Sequence, residues 1–170
     1  MFDGTIDVPP GLTTQGLLGR RYMARLIDSA IILLIVAGVV LIEAVIVSGS
    51  SSRPWILEVA FVVLVIWVGY SAVLESSQWQ GTVGKRLLKL RVYSQEGGRI
   101  TLKQAAARSL VKDGPLIVFA FLPGAQLLTW LYLGAHLVVM HRSSDYQGIH
   151  DHVAGTWVAA PESLTQLRLS

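Results

Sequence analysis

Charged residues that interrupt long apolar stretches are the residues of this sequence whose types and spacing could do chemistry. Arg25 and Asp28 are three positions apart and therefore share one face of a helix. Glu43 follows Arg25 by 18 residues, and at 3.6 residues per turn it lies on that same face. Because a charge inside a membrane helix is costly, this stripe either sits in the headgroup layer or lines a path for an ion.

Glu58 adds a second carboxylate to the possible ion path, near the start of the next apolar stretch. If Glu43 and Glu58 lie at a similar depth, their charges repel, and either one stays protonated or a cation lies between them. The simpler interpretation is that both are ordinary acids in the wet interface, because both lie near helix ends. We favour this simpler interpretation.

The rest of the sequence indicates no metal, nucleotide or catalytic site. Residues 81–85 (GTVGK) resemble a phosphate loop, but only two residues separate the glycines, whereas the G-x-x-x-x-G-K-[ST] pattern has a longer gap. Neither a G-x-S-x-G nor an H-E-x-x-H motif occurs. The chain has no cysteine, and its histidines lack the spacing of zinc ligands: His136, His141, His150 and His152. We therefore expect no cofactor, no metal and no enzymatic activity.

Basic residues cluster just after the second apolar stretch. The formal net charge is +3 and the sequence pI is about 9.4, a balance that could suit nucleic acid. A basic cluster beside a membrane segment instead favours an anchor for anionic lipid headgroups, so we expect membrane lipids and no nucleic acid as partners. The residues of this predicted headgroup anchor are Lys85, Arg86, Lys89 and Arg91.

The composition identifies the environment in which these residues act. Of the 170 residues, 52% are hydrophobic and only 15% are charged. Soluble domains carry about 25% charged residues, so this chain lacks the charge to cover a surface in water. The composition argues against a soluble enzyme, a disordered chain and a coiled coil. We therefore predict an all-α membrane protein, a small bundle of three or four transmembrane segments.

The apolar stretches predict where the chain crosses the bilayer, since a spanning helix needs roughly 20 mostly apolar residues. Two stretches meet this length directly, and a third, over residues 114–140, is long for one helix and short for two. Pro123-Gly124 is a turn signal near its middle. The third stretch is therefore either a helical hairpin or an interfacial helix followed by one kinked span. With the hairpin, the predicted segments are 22–47, 55–74, 102–122 and 125–141.

The distribution of basic residues predicts the orientation. Residues 76–112 hold eight Lys or Arg, and the N-terminal region adds Arg20, Arg21 and Arg25, so both are expected to be cytoplasmic. A cleaved signal peptide is not expected, because residues 1–19 hold no Lys or Arg. The domain organisation we predict is an N-terminal cytoplasmic tail (1–19), a membrane domain (20–160) and a C-terminal tail (161–170).

Short strands are predicted beside the membrane segments. Residues 90–95 and 99–101 flank a Gly-Gly turn and read as a β-hairpin, and residues 156–160 read as a further strand. Because a lone strand pair is marginal, the third strand would stabilise it if both segments share a side of the membrane. This favours four crossings and predicts a short cytoplasmic β-hairpin or strand cap.

Three ordered motifs resemble the RDD family of membrane proteins, over roughly residues 17–160. They are RYMARLID (21–28), GTVGKRLLKLRV (81–92) and GIHDHVAGTWV (148–158). Lys89 stands where a glycine is common in the family, and Ile149 where leucine is usual. The resemblance implies that Arg25, Asp28 and Asp151 are the family's arginine and aspartates, and that Arg108 is the arginine before the last apolar block.

What the resemblance implies about activity is a choice between two roles in a bacterial plasma (inner) membrane. One is a small transporter or cation/proton exchanger, as a homo-oligomer. The alternative is a non-catalytic accessory or assembly subunit of a larger membrane complex. With four crossings, the motif/charge cluster of Arg25, Asp28, Arg108 and Asp151 lies at the inner face. It is then either a structural clasp, whose broken pairs would cost about 3–5 kcal/mol, or the inner gate of an ion path.

Overall fold

A computed structural model of the chain describes residues 8–47, 55–122, 124–143 and 147–162, with the side chains of 43, 46, 47, 55–58, 60 and 121 left aside. Within these residues the chain forms six helices and three short strands. Their order is β1 Leu12–Thr13, α1 Leu18–Val47, α2 Trp55–Ser76, α3 Val83–Leu87, β2 Arg91–Ser94, α4 Leu102–Phe121, α5 Gln126–Arg142, α6 Ile149–Ala154 and β3 Thr156–Pro161.

The four long helices α1, α2, α4 and α5 match the four predicted segments to within a few residues. The third apolar stretch forms two helices, as the hairpin alternative predicted, with Gly124 at φ +79° between them. Helix α4 begins at Leu102 because Thr101 and Gln104 form a capping box, in which each side chain bonds the other residue's backbone N–H.

One helix in the described part of the chain is long and apolar enough to cross a membrane, judged by length and composition. It covers Leu18–Ile42, and its most apolar 18-residue window has a mean hydropathy of 2.5 and is only 6% buried in the protein. Leu34 on this helix and Trp130 on α5 have 75% and 71% of their surface uncovered. A shorter apolar helical stretch covers Phe61–Ser76. Crossing by all four helices stays a prediction.

The predicted strand cap is a three-stranded sheet, but the predicted hairpin is wrong. The strand order is β1-β3-β2, with β3 in the centre and antiparallel to both neighbours. Residues 99–101 form no strand, because the Ile100 side chain enters the core and Thr101 caps α4. Strand β2 pairs with β3 instead, in a register that sets Val92 opposite Val158. The third strand of the sheet, β1 (Leu12–Thr13), lies in the region 1–19 that was predicted to be a tail.

The core lies where the sheet meets the ends of the long helices. Small side chains allow close approach there, and Gly84 of α3 packs closely against Ala24 of α1. A Cβ on Gly84 would lie 2.2 Å from the Ala24 carbonyl oxygen, so this position requires glycine. Sheet and helix ends thereby hold α3 against α1. The buried residues of this core cluster are Leu17, Ala24, Ala72, Leu90, Val92, Ile100, Ala105, Val158 and Ala160.

Candidate functional site

Arg108 of α4 is the centre of a buried charge network. Its side chain is 3% exposed, and its Nη2 lies 2.8 Å from Oδ1 of Asp151 on α6. Its Nε lies 3.7 Å from Oε2 of Glu75 at the end of α2. A guanidinium shared by two carboxylates ties three helices together, so Arg108 is positioned as a structural link.

Glu75 completes this network and was not singled out by the sequence reasoning. Its side chain has no exposed surface, and its Oε1 lies 2.5 Å from Nζ of Lys85 on α3. The available signal was its place, directly after the apolar stretch 55–74 and at the same end as the basic region 76–112. The orientation of a membrane helix is predicted from basic residues alone, so Glu75, which pairs with Lys85 and Arg108, played no part in that prediction.

Asp151 is held by more partners than any other carboxylate of the network. Besides Arg108, Arg21 of α1 approaches to 3.9 Å and His150 to 3.4 Å, and the Gly148 N–H donates to Oδ2 at 3.1 Å. Burial alone would raise the pKa of Asp151, but the guanidinium groups of Arg108 and Arg21 and the Gly148 N–H outweigh it and hold that pKa well below its usual range. Asp151 is therefore a fixed anion.

Arg25 and Asp28 do not pair, although they share a helix face. Arg25 reaches Asp113 of α4, with Nη2 2.8 Å from Oδ1, and Lys112 approaches the other oxygen of Asp113 at 3.2 Å. Sharing a helix face therefore does not make Arg25 and Asp28 an ion pair. The cation that was nearest along the helix is taken by a carboxylate from a neighbouring helix.

Asp28 is held by neutral donors instead. The Tyr70 hydroxyl and the Gly84 N–H donate to Oδ1 at 2.9 and 2.8 Å, and the Thr82 hydroxyl donates to Oδ2 at 2.5 Å. The close packing of Gly84 on α1 brings that N–H within reach. In the described part of the chain, no Lys, Arg or His nitrogen lies within 4 Å of this carboxylate. We call Arg108, Glu75, Asp151 and their partners Lys85 and Arg21 the Arg108 network. Asp28 differs from both carboxylates of this network, because each of them contacts at least one cationic side chain.

Two histidines extend the network towards α5. Nε2 of His136 lies 2.5 Å from Nδ1 of His150, and the rings stack with centroids 4.8 Å apart. Burial lowers the pKa of His150 well below its usual value, and the carboxylate of Asp151 offsets only part of this. His150 is therefore neutral at pH 7. Within the described residues, no three His, Asp or Glu are grouped to hold a metal ion.

A cavity of about 410 Å³ lies between α1, α2, α4, α5 and α6. The structure brings all four residues of the motif/charge cluster to its wall: Arg25, Asp28, Arg108 and Asp151. The lining also includes apolar residues: Ile32, Trp67, Leu116, Leu133 and Met140. A largely apolar space with a few charged groups, set inside a helix bundle, is a usual form of ligand or ion site.

A comparison with known protein families identifies the family to which the three motifs belong. A sequence model described as "RDD family" matches residues 16–155, which is most of the chain. The chain belongs to the RDD family. A relative in Bacillus subtilis (strain 168), "Uncharacterized protein YxaI", is 27% identical over 155 aligned positions, covering 81% of this chain and 92% of YxaI. No solved structure matches the chain.

In this RDD protein the three motifs meet at one end of the bundle. Residues 21–28 lie on α1, residues 81–92 include α3 and the first half of β2, and residues 148–158 include α6 and the first half of β3. Each motif supplies a wall of the cavity or a partner for its charges. RDD proteins are membrane-associated, and α1 has the length and apolarity of a membrane helix.

Two other sets of predicted site residues have different outcomes. Lys85 was assigned to the headgroup anchor, but its side chain is 12% exposed and pairs with Glu75, so it belongs to the buried network. The remaining anchor residues, Arg86, Lys89 and Arg91, are exposed. The side chains of Glu43 and Glu58, the possible ion path, lie outside the described residues.

Proposed function

We propose that this RDD protein is a small, multi-pass transporter of the bacterial plasma membrane that exchanges a monovalent cation for a proton at Asp28. The single observation that supports this is the set of neutral partners around that carboxylate. Asp28 lines the cavity between the helices, and its described partners are two hydroxyls and one backbone N–H. An anion in this position carries a charge that a proton or a metal cation can neutralise.

The surroundings of Asp28 suit both occupants. A proton converts the carboxylate to a neutral acid. An alkali cation is bound by oxygen ligands. The hydroxyl oxygens of Tyr70 and Thr82 lie within hydrogen-bond distance of the Asp28 carboxylate. When a cation replaces the proton, these hydroxyls can rotate and direct their lone pairs to the cation. One cation is bound as one proton leaves, so charge at the site is conserved. Competition for a single carboxylate is the simplest basis for exchange.

The Arg108 network has a positioning role in this proposal. Each of its carboxylates has at least two cationic partners: Glu75 has Lys85 and Arg108, and Asp151 has Arg108 and Arg21. Such carboxylates are poor sites for a further cation. The network instead holds α2, α3, α4 and α6 around the cavity. We propose a cytoplasmic N-terminus and a homo-oligomer, since so few helices enclose little volume.

Flux measurements test the exchange. The purified protein is reconstituted in vesicles with a pH-sensitive dye inside, and sodium or potassium is added outside at matched osmolarity. Asp28→Asn keeps the shape of the site and removes its charge, so proton efflux is expected to fall to that of empty vesicles. Glu96→Gln, in the exposed turn after β2, is the matched control and is expected to retain flux. Wild-type flux in Asp28→Asn, or no wild-type flux for either ion, contradicts the proposal.

A second candidate, the accessory subunit, is favoured by helix α5. None of its described residues is buried, and Leu127, Trp130 and Leu131 present a wide apolar face. Lipid or another membrane protein could cover that face. Extraction in a mild detergent followed by affinity purification distinguishes the two: a stoichiometric partner that is lost in Trp130→Ala supports the accessory role. Migration alone, or only with itself, argues against it.

A further inference from the structure

A second cavity, of about 400 Å³, lies on the strand cap, away from the helix bundle. Three exposed cations line it, and we call them its rim: Arg86 at the end of α3, Lys89 in the following turn, and Arg91 at the start of β2. The other lining residues, which we call its floor, are apolar or aromatic: Leu12, Leu90, Tyr93, Ala159 and Pro161. We refer to this site as the cap pocket. It shares no lining residue with the cavity that contains Asp28.

The three rim cations of the cap pocket have no counter-ion in the described part of the chain. All three are exposed, and no described carboxylate lies within 4 Å of any of them. Lys85, only one residue before Arg86, has its own carboxylate in Glu75. Three like charges around one concave surface repel each other, and an anion in the pocket would relieve that repulsion.

Lys89 holds its place in the rim at a conformational cost. Its backbone has φ +57°, a left-handed conformation that favours glycine and that L side chains seldom adopt. Its N–H donates to the Arg86 carbonyl oxygen at 3.0 Å, a bond that glycine would also make. The fold therefore does not need a lysine here. What the lysine adds is a third positive charge on the rim.

We propose that the cap pocket binds a phosphate group. Two guanidinium groups and an ammonium match the oxygens of a phosphate, and arginine forms paired hydrogen bonds to such groups. The apolar and aromatic floor gives room for the carbon atoms that the phosphate carries. This chemistry is found in the headgroup of an anionic phospholipid and in soluble phosphate compounds. The site is independent of exchange at Asp28.

The test measures ligand-induced stabilisation of the full-length protein in a neutral detergent at constant ionic strength. The probes are dioleoylphosphatidylglycerol, which has a net negative headgroup, dioleoylphosphatidylcholine, which has none, and inorganic phosphate against chloride. The shift of the thermal unfolding midpoint with probe concentration gives an apparent dissociation constant. A response to phosphatidylglycerol without one to inorganic phosphate assigns the site to a lipid headgroup, and a response to inorganic phosphate assigns it to soluble phosphates.

Variants connect the response to the cap pocket. Lys89→Gly removes one cation and suits the left-handed backbone, so it is expected to fold and to bind about fivefold more weakly. Arg91→Gln is expected to act similarly. Lys103→Gln, an exposed lysine outside the pocket, is the matched control and is expected to change binding less than twofold. No shift beyond phosphatidylcholine or chloride, or an equal loss in Lys103→Gln, would overturn the proposal.

Discussion

Asp28 and Asp151 lie on the wall of the same cavity and yet are held in opposite ways. Asp151 is surrounded by Arg108, Arg21 and His150, whereas Asp28 accepts hydrogen bonds from two hydroxyls and a backbone N–H. Cationic side chains surround Asp151, whereas the described partners of Asp28 are all neutral donors. The difference teaches that two aspartates on the wall of one cavity can have opposite electrostatic surroundings. This difference in partners is why we assign the proposed exchange to Asp28 and not to Asp151.

The largest expected effect is the loss of stability when Arg108, the cationic partner of Asp151, is replaced. Arg108→Gln removes the cation shared by Glu75 and Asp151 and leaves buried carboxylates undercompensated. We expect the free energy of unfolding to fall by about 3–5 kcal/mol. Asp28→Asn, which keeps an acceptor for its neutral donors, is expected to lose only about 1 kcal/mol. The yield of monodisperse protein in detergent and the thermal unfolding midpoint measure both changes.

Arg99→Gln is the matched control for Arg108→Gln, because Arg99 is an exposed arginine just before the same helix. It is expected to behave as the wild type. If Arg108→Gln were as stable as Arg99→Gln, the Arg108 network would not be a structural link. If Asp28→Asn were destabilised more than Arg108→Gln, the contrast between the surroundings of Asp28 and Asp151 would be wrong.

Much of the architecture could be predicted because it depends on local sequence. The bounds of the four long helices follow from runs of apolar residues, and the strand at 156–160 follows from its composition. The predicted hairpin over 90–101 was wrong because a second local signal competed with the Gly-Gly turn. Thr101 and Gln104 form a capping box, which starts α4 before a second strand can form.

The partners of the site residues could not be predicted, because they come from elements far apart in the chain. Helical spacing places Arg25 beside Asp28, but Arg25 pairs with Asp113, which is 88 residues away. Asp28 finds Thr82, which is 54 residues away. Spacing on one helix predicts which residues share a face. It does not predict which residue of another element will become the partner of each charged side chain.

The second largest expected effect comes from the packing of Gly84, whose N–H donates to Asp28. Gly84→Ala would place a Cβ 2.2 Å from the Ala24 carbonyl oxygen, so α3 must move away from α1. We expect a loss of about 1–3 kcal/mol in the free energy of unfolding, as for an overpacked core, and a slower exchange flux. Gly38→Ala on α1 has open space around it and is the control. Equal stability of the two variants would show that α3 is not clamped to α1.

The smallest effect is a pH dependence that arises on the Asp151 side of the comparison. Because burial lowers the pKa of His150 below its usual 6.5, the unfolded chain binds this proton at a higher pH than the folded protein does. Stability is therefore complete above pH 6.5 and is lost as the pH falls below it, by up to about 1.4 kcal/mol per pH unit. Thermal unfolding midpoints at pH 7.5, 6.5 and 5.5 measure this slope.

His150→Gln is expected to flatten the slope, and His141→Gln, which changes an exposed histidine at the end of α5, is expected to keep it. The groups that face His150 are Asp151, Arg108, Lys112 and His136. The pKa of Asp151 is already far below this range, so its titration adds nothing between pH 7.5 and 5.5. A slope unchanged in His150→Gln would mean that another group takes up the proton. The lowered pKa of His150 would then not be the cause of the pH dependence.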